Sequence, residues 1–166
     1  MGSKVILTTW QKVQIYNNNT PLFKLEEFLN GRIDIQGLFQ NRAGVVTSRF
    51  HVDLNATWDN GIGRLTEDFT FTDGKKLNRE WSLTRLSENE YEGVAPDVIG
   101  RASGVGAGNT FLWSYKLKLP FKNRHISVDV EDWMYLINSD MMINRVYFRK
   151  FGIKFTEATL VFSKRR

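Results

Sequence analysis

Three charged residues of this chain occupy positions that the surrounding pattern gives to apolar side chains. They are Glu67, Arg79 and Asp132, each on the otherwise hydrophobic face of an alternating segment. Alternation with period two is typical of β-strands that have one buried face, so these three charges are expected to point inward. An unpaired charge in an apolar interior is costly, so each of them needs a partner, water or a ligand.

Three kinds of chemistry suit such inward charges. Arg79 can hold the carboxylate or phosphate end of a ligand whose tail is enclosed by aromatic rings. Alternatively, Glu67 and Arg79 form a structural ion pair while Asp132 accepts hydrogen bonds from backbone amides. A third interpretation makes Glu67 and Asp132 the acid and base of an enzyme, which requires burial to separate their pKa values. The residues alone do not select an enzyme, and catalysis is not the expected role.

The first two of these charges belong to a predicted β-hairpin, Arg64–Leu86, that turns at Asp73-Gly74. Asp-Gly between two alternating segments is a strong hairpin signal, because glycine supplies the positive φ that the turn needs. With the expected loop, Glu67 faces Trp81, and Arg79 lies diagonally across from Glu67, within reach of a long side chain.

The rest of the chain repeats the same alternation in short segments separated by turn residues. Residues 46–57 form the clearest strand, residues 25–29 suggest one helical turn, and Gly37 is expected to mark a β-bulge. The spacing suits closed barrels and sandwiches, and polar residues on inward faces favour the barrel. The sequence therefore predicts an all-β, antiparallel up-and-down β-barrel of about 8–10 strands with an internal cavity.

The predicted cavity is lined by rings and aliphatic side chains, with a few polar contacts among them. The expected apolar lining consists of Phe50, Val52, Phe69, Phe71, Trp81, Trp113, Tyr115 and Met134. The expected polar contacts are Arg79, Glu67 and Asp132, together with Asn144 near a strand end.

Composition excludes several other classes of function. The chain has no cysteine, so disulfides, thiolate catalysis and cysteine-based zinc sites are impossible. His51 falls on the wet face of its strand and His125 beside a turn, so no metal site and no cofactor are expected. The net charge of +5 comes from scattered Lys and Arg, and nucleic-acid binding is not expected; the basic run at residues 164–166 is interpreted as a solvated terminus.

An ordered set of short motifs resembles one known family. The set runs through Arg79-Glu80-Trp81, Asp97-Val98-Ile99-Gly100, residues 131–136 and Lys150-Phe151-Gly152, and it spans about residues 21–163. It is similar to the bacterial lipoprotein family of unknown function DUF3833. The resemblance implies a lipocalin-like (calycin) shape and a periplasmic, membrane-tethered protein, and it carries no known activity.

The same resemblance suggests lipid handling, because some members are encoded near enzymes that modify unsaturated fatty acyl chains. One departure concerns the membrane tether. The family pattern has an N-terminal signal that ends in a lipid-bearing cysteine, whereas Leu7-Thr8-Thr9-Trp10 places Trp10 at that position. No apolar segment approaches the roughly 20 residues that a membrane-spanning helix needs.

Together these features predict an N-terminal extension or tether remnant over residues 1–20, followed by a single barrel domain over residues 21–166. The predicted function is non-enzymatic binding of a hydrophobic or amphipathic small molecule, an acyl lipid such as a fatty acid, in the bacterial envelope, with peripheral membrane association. The alternatives are a structural or partner-docking barrel whose core is filled, and a lipid-modifying enzyme that uses the inward carboxylates.

Overall fold

A computed structural model, which describes residues 11–166, shows ten antiparallel strands and two short helical turns. The helical turns are a 3-10 turn at Val13–Tyr16 and α1 at Leu25–Phe28. The strands are β1 (Gly31–Asn41), β2 (Val46–Asp59), β3 (Ile62–Phe71), β4 (Lys76–Arg85), β5 (Glu90–Val94), β6 (Val98–Ala107), β7 (Thr110–Phe121), β8 (Arg124–Asn138), β9 (Met141–Lys150) and β10 (Ile153–Lys164).

The sheet closes on itself because β1 pairs with both β2 and β10, while every other strand pairs with its sequence neighbours. This confirms the predicted all-β, up-and-down antiparallel barrel. Since every connection is a hairpin, successive turns alternate between the two ends of the barrel. We call the end that carries the β1–β2, β3–β4, β5–β6, β7–β8 and β9–β10 turns the rim, and the opposite end the capped end.

The helical turn predicted near residues 25–29 is confirmed, and it closes the capped end. Leu25 and Leu29 are buried in the barrel core. The Trp58 indole donates a hydrogen bond to the Leu29 carbonyl (2.6 Å), and the Phe23 amide donates to the Gly108 carbonyl (2.8 Å). Trp58 and Gly108 lie near turns of the capped end. The segment that contains α1 is therefore fixed across this end of the barrel, and the chain continues from it directly into β1.

The segment before the cap packs on the outside of the barrel. Val13 is buried, and the Tyr16 ring lies edge-on to Trp133, with 6.5 Å between ring centroids. The expected lipid-attachment position, Trp10, and the first half of the predicted extension lie outside the described residues. Within residues 11–166, no helix is long and apolar enough to cross a membrane.

The register of the predicted hairpin was wrong by two residues. Glu67 stands directly opposite Arg79 instead of diagonal to it, and Trp81 faces Leu65. The reason is the loop: the Phe71 amide bonds to the Lys75 carbonyl, so the loop contains Thr72, Asp73 and Gly74. Gly74 has a φ of 88°, which is the left-handed conformation that such a loop requires.

Two strand glycines exist to make room for aromatic rings. A Cβ atom on Gly37 would lie 2.4 Å from the Phe50 ring, and one on Gly104 would lie 2.3 Å from the Trp113 ring. The bulge predicted at Gly37 is a misassignment, because the register shifts between Phe39 and Gln40 instead. Glycine at position 37 lets Phe50 lie across the strand and occupy the interior.

Candidate functional site

A cavity of about 140 Å³ lies inside the barrel. Leu25 and Leu29 of the cap form its floor, and Phe39, Phe50 and Phe148 border it toward the rim. Of the twelve residues that the sequence predicted for the lining, eleven border this cavity and Phe71 does not. The eleven are Phe50, Val52, Glu67, Phe69, Arg79, Trp81, Trp113, Tyr115, Asp132, Met134 and Asn144.

Five neighbouring or facing strands supply the polar part of the lining. β3 and β4 place Glu67 and Arg79 side by side, β8 and β9 supply Asp132 and Asn144, and β7 supplies Tyr115. Each of these side chains points inward because it shares the parity of the apolar core residues on its strand. The polar residues therefore form a belt in a cavity that is otherwise apolar.

Arg79 forms its ion pair with Asp97, whereas the sequence suggested Glu67 as its partner. Arg79 Nε donates to Asp97 Oδ1 at 2.9 Å, and the guanidinium carbon lies 4.6 Å from the Trp81 ring centroid, a cation–π distance. Asp97 lies in the β5–β6 turn at the rim and was not among the predicted contacts. Asp97 therefore balances the charge of Arg79 from the rim side, while Glu67 lies opposite Arg79 on the neighbouring strand.

Asp132 accepts a hydrogen bond from a side-chain amide, where the sequence suggested backbone amides. Asn144 Nδ2 donates to Asp132 Oδ1 at 3.1 Å. Asn144 is only 1% exposed, and its Oδ1 has no hydrogen-bond partner within residues 11–166; the same is true of Arg79 Nη2. A buried polar atom without a partner costs on the order of 1–3 kcal/mol, so the belt retains one acceptor and one donor for another molecule.

Burial shifts the titration of both inward carboxyls in the same direction. Loss of hydration raises the pKa of Glu67 to about 7; Arg79 opposes this shift and Asp97 adds to it. Loss of hydration and then the charge of Glu67 raise the pKa of Asp132 to about 7. Both carboxyls are shifted in the same direction for the same reason, and nothing in the geometry assigns one of them as acid and the other as base.

Toward the rim, the interior is crowded with phenylalanine rings. The Phe39 and Phe50 centroids are 5.1 Å apart, and Phe50 and Phe69 are 5.8 Å apart. Phe71, which the sequence placed in the lining, stacks on Phe69 closer to the rim and does not border the cavity. No described segment covers this end, so access to the cavity passes through this cluster of rings.

Residues 11–166 contain no group of three His, Asp or Glu side chains placed to hold a metal ion. His51 lies on the outer face and contacts Asp34 at 3.2 Å, and His125 is exposed.

Comparison with known sequences gives one match that covers almost the whole chain. The family described as Protein of unknown function (DUF3833) matches residues 5–164. The chain belongs to the DUF3833 family. None of the curated proteins matches this DUF3833 chain.

The DUF3833 barrel is also similar to a solved structure, the S-type phycobiliprotein lyase CPES from Guillardia theta. The alignment covers 94% of this chain and 98% of that chain, with a TM-score of 0.62 and 12% sequence identity. At this identity the likeness concerns the fold, and it supports the lipocalin-like description of the DUF3833 barrel.

Proposed function

We propose that this barrel binds a slender hydrophobic or amphipathic small molecule, an acyl lipid, with the apolar chain in the cavity and the polar end at the belt. The observation that carries the proposal is the combination of an apolar cavity with buried polar atoms, Asn144 Oδ1 and Arg79 Nη2, that have no partner in the described chain. Apolar pockets with a few convergent polar groups are the usual form of a small-molecule site.

The size of the cavity favours a slender ligand. Its volume of about 140 Å³ resembles the engineered cavity of about 150 Å³ that binds benzene. Pockets for drug-sized ligands are larger, at about 300–1,000 Å³. An extended acyl chain suits a narrow space between the floor at Leu25 and Leu29 and the ring cluster, whereas a broad ring system would require the side chains to move.

The polar belt favours an uncharged end on the ligand. Arg79 is already paired with Asp97, and two further carboxyls, Glu67 and Asp132, share its surroundings. A ligand carboxylate would add a negative charge to this group unless Glu67 and Asp132 were protonated. A hydroxyl end can donate to Asn144 Oδ1, and a hydroxyl or ester end can accept from Arg79 Nη2, without that cost. This replaces the sequence-based expectation that Arg79 holds an anionic head.

The small cavity also supports a second candidate, a structural barrel whose own side chains nearly fill its interior. Small barrels can be packed solid, and 140 Å³ is below the range expected for most ligand sites. Ligand binding and a filled interior make opposite predictions for the experiment below.

The test compares two adjacent residues of β10 that point to opposite faces. Ala158 is buried and lines the cavity, whereas its neighbour Thr159 is not part of the lining. Ala158→Leu should fill the cavity, and Thr159→Leu is the matched control. Melting curves with a saturating fatty alcohol should show a rise of several degrees for the wild type and for Thr159→Leu, because binding stabilises by mass action. Ala158→Leu should show none.

Native mass spectrometry of the same samples provides an independent readout of the complex. If neither fatty alcohols nor fatty acids shift the wild-type melting temperature and no complex is detected, the filled-barrel candidate replaces lipid binding. A fatty acid of equal chain length should bind more tightly below pH 7 than above it, because its charge competes with the two inward carboxyls.

As part of the same proposal, we assign this binding to the bacterial envelope. The support is the sequence resemblance described above, which implies a periplasmic, membrane-tethered protein with some members encoded near enzymes that modify fatty acyl chains. Cell fractionation of the native gene product tests the location: recovery in the cytoplasmic fraction would contradict it.

A further inference from the structure

The rim of the barrel exposes aromatic side chains that the core does not use. Phe121 in the β7–β8 hairpin is 45% exposed, and Phe151 and Phe155 beside the β9–β10 turn are 88% and 37% exposed. Among residues 11–166 these are all of the phenylalanines classed as exposed, and none of them lies at the capped end. The distribution of exposed rings therefore marks one end of the molecule.

Phe151 is placed where folding alone would favour another residue. Its backbone φ is 52°, in the left-handed region that suits glycine or asparagine and disfavours a bulky side chain. With 88% of its surface exposed, the ring gains little from packing in return. A strained, exposed aromatic residue at a turn points to a role in contacting another molecule.

Basic side chains surround these rings and have no acidic partner in the described chain. Lys122 Nζ lies 5.5 Å from the Phe121 ring centroid, and Lys150 Nζ lies 5.0 Å from that of Phe151. Lys150 is half-buried and its Nζ also donates to the Ser127 carbonyl at 2.6 Å. The cations of the rim hairpins that are exposed and in no ion pair among residues 11–166 include Arg42, Lys75, Lys76, Lys122 and Arg124.

The basic C-terminal run, by contrast, is neutralised at the capped end. Arg165 pairs with Asp34, and Arg166 pairs with Asp140. Lys164 Nζ donates to the Glu27 carbonyl. The exposed cations without an ion pair in the described chain are therefore concentrated at the rim, even though the terminal run is the densest basic segment of the sequence. At the capped end, Arg64 near the β2–β3 turn is an exposed cation of the same kind.

We propose that the rim docks on an anionic lipid bilayer, with Phe121 and Phe151 entering the interface and the surrounding Lys and Arg contacting the head groups. Exposed rings interleaved with basic side chains combine apolar insertion with attraction to negative lipids. The docking places the uncapped end of the cavity against the membrane. Docking of this kind depends on surface residues alone and does not require a lipid in the cavity.

The experiment is cosedimentation of the full chain with vesicles of phosphatidylcholine, with and without phosphatidylglycerol. Lys122→Glu at the rim is matched by Arg64→Glu near the β2–β3 turn of the capped end, an exposed position with the same change of charge. Phe151→Ser is matched by Ile137→Ser, an exposed aliphatic residue close to the β8–β9 turn. Circular dichroism of each variant confirms that it is folded.

We expect the wild type to bind the phosphatidylglycerol vesicles, and to bind them less in high salt. Each rim variant should weaken binding by about tenfold, because Lys122→Glu replaces attraction to the head groups by repulsion and Phe151→Ser removes an inserted ring. The controls should change it less than twofold. Absence of wild-type binding, or equal losses in rim and control variants, would overturn the proposal. Unchanged binding of a soluble fatty alcohol by Lys122→Glu would separate this result from the function of the cavity.

Discussion

Glu131 and Asp132 are consecutive residues of β8, yet their surroundings on the two faces of the barrel wall differ in one decisive respect. Glu131 faces the outer wall, where Arg149 Nη1 donates to it at 2.8 Å and Trp133 Nε1 at 2.7 Å. Asp132 faces the cavity, where Asn144 donates one hydrogen bond. The outer carboxylate has a charged partner and a second donor, whereas the inner one sits among groups with spare bonding capacity.

This difference in hydrogen bonding distinguishes polar groups that stabilise the fold from polar groups that can bind a ligand. A buried ion pair with satisfied hydrogen bonds fixes how its elements pack, and here it joins β8 to β9. The inner belt, with the unpartnered Asn144 Oδ1, costs stability that the fold does not recover from its own contacts. Substitutions on the two faces should therefore have opposite effects on stability.

The largest effect is expected for Glu131→Ala, which leaves the buried Arg149 without its carboxylate. We expect a loss on the order of 3–5 kcal/mol in the free energy of unfolding, measured by urea denaturation. The double variant Glu131→Leu with Arg149→Met should recover part of this loss, since it removes both charges but leaves the buried Trp133 indole N–H without its acceptor. A loss below about 1 kcal/mol for Glu131→Ala would remove the contrast between the two faces.

On the inner face, Glu67→Gln combined with Asp132→Asn should increase stability at pH 8. Both carboxyls have a pKa near 7 in the folded protein, well above the ordinary values of 4.5 and 3.8, so the folded state holds protons that the unfolded state has lost. The wild type therefore loses stability as the pH rises from about 4 through 7, and the variant should not.

The expected gain of the double variant is several kcal/mol at pH 8, because each unit by which a pKa is raised corresponds to about 1.4 kcal/mol. No gain is expected below about pH 3, where the carboxyls are protonated in both states. Urea denaturation at pH 3, 6 and 8 measures the gain. Parallel pH profiles for the variant and the wild type would show that these carboxyls are not held in an unfavourable environment.

A smaller effect should distinguish two glycines of β6. Gly104→Ala should cost about 1–3 kcal/mol, because the added Cβ would lie 2.3 Å from the Trp113 ring. Gly106→Ala is the control: its Cβ would meet Phe111 at 3.4 Å, an ordinary contact, so its stability should stay within about 0.5 kcal/mol of the wild type. Thermal unfolding of the pair shows how tightly the cavity wall is packed; equal effects would mean that Trp113 can move aside.

The smallest effect concerns the outer wall again. Gln11 donates to the Tyr135 hydroxyl at 2.9 Å and accepts from the Tyr16 hydroxyl at 2.6 Å. Gln11→Ala should cost about 0.5–1.5 kcal/mol, because it removes two partly buried hydrogen bonds. Urea denaturation measures the loss. An unchanged free energy of unfolding would mean that, of these two polar clusters of the outer wall, only the Glu131–Arg149 pair stabilises the fold.

The sequence predicted the barrel and the membership of the cavity better than it predicted the contacts inside it. Period-two alternation decides which face of a strand a residue occupies, and for this reason Glu67, Asp132 and Asn144 all face the cavity as expected. Alternation does not decide which residue lies opposite which. The β3–β4 loop begins at Thr72, one residue earlier than expected, and this shift places Arg79 directly opposite Glu67 instead of diagonal to it.

The sequence also failed to predict the contacts that residues outside the strands make with the cavity. Asp97 reaches Arg79 from the β5–β6 turn, and the cap reaches the cavity floor from outside the sheet. Neither contact follows from a local pattern, because each depends on how distant segments meet after the barrel has closed. The helical turn at Leu25–Phe28 was visible in the sequence, but its place at one end of the barrel was not.

The cap has a consequence for selectivity. Because Leu25 and Leu29 block one end of the tube, a chain that enters from the other end can advance only a fixed distance. The cap therefore limits the length of the ligand: it sets the longest apolar tail that fits while the polar end of the ligand still reaches Asn144. Trimming Leu25 to alanine would deepen the tube and move the preferred tail toward greater length.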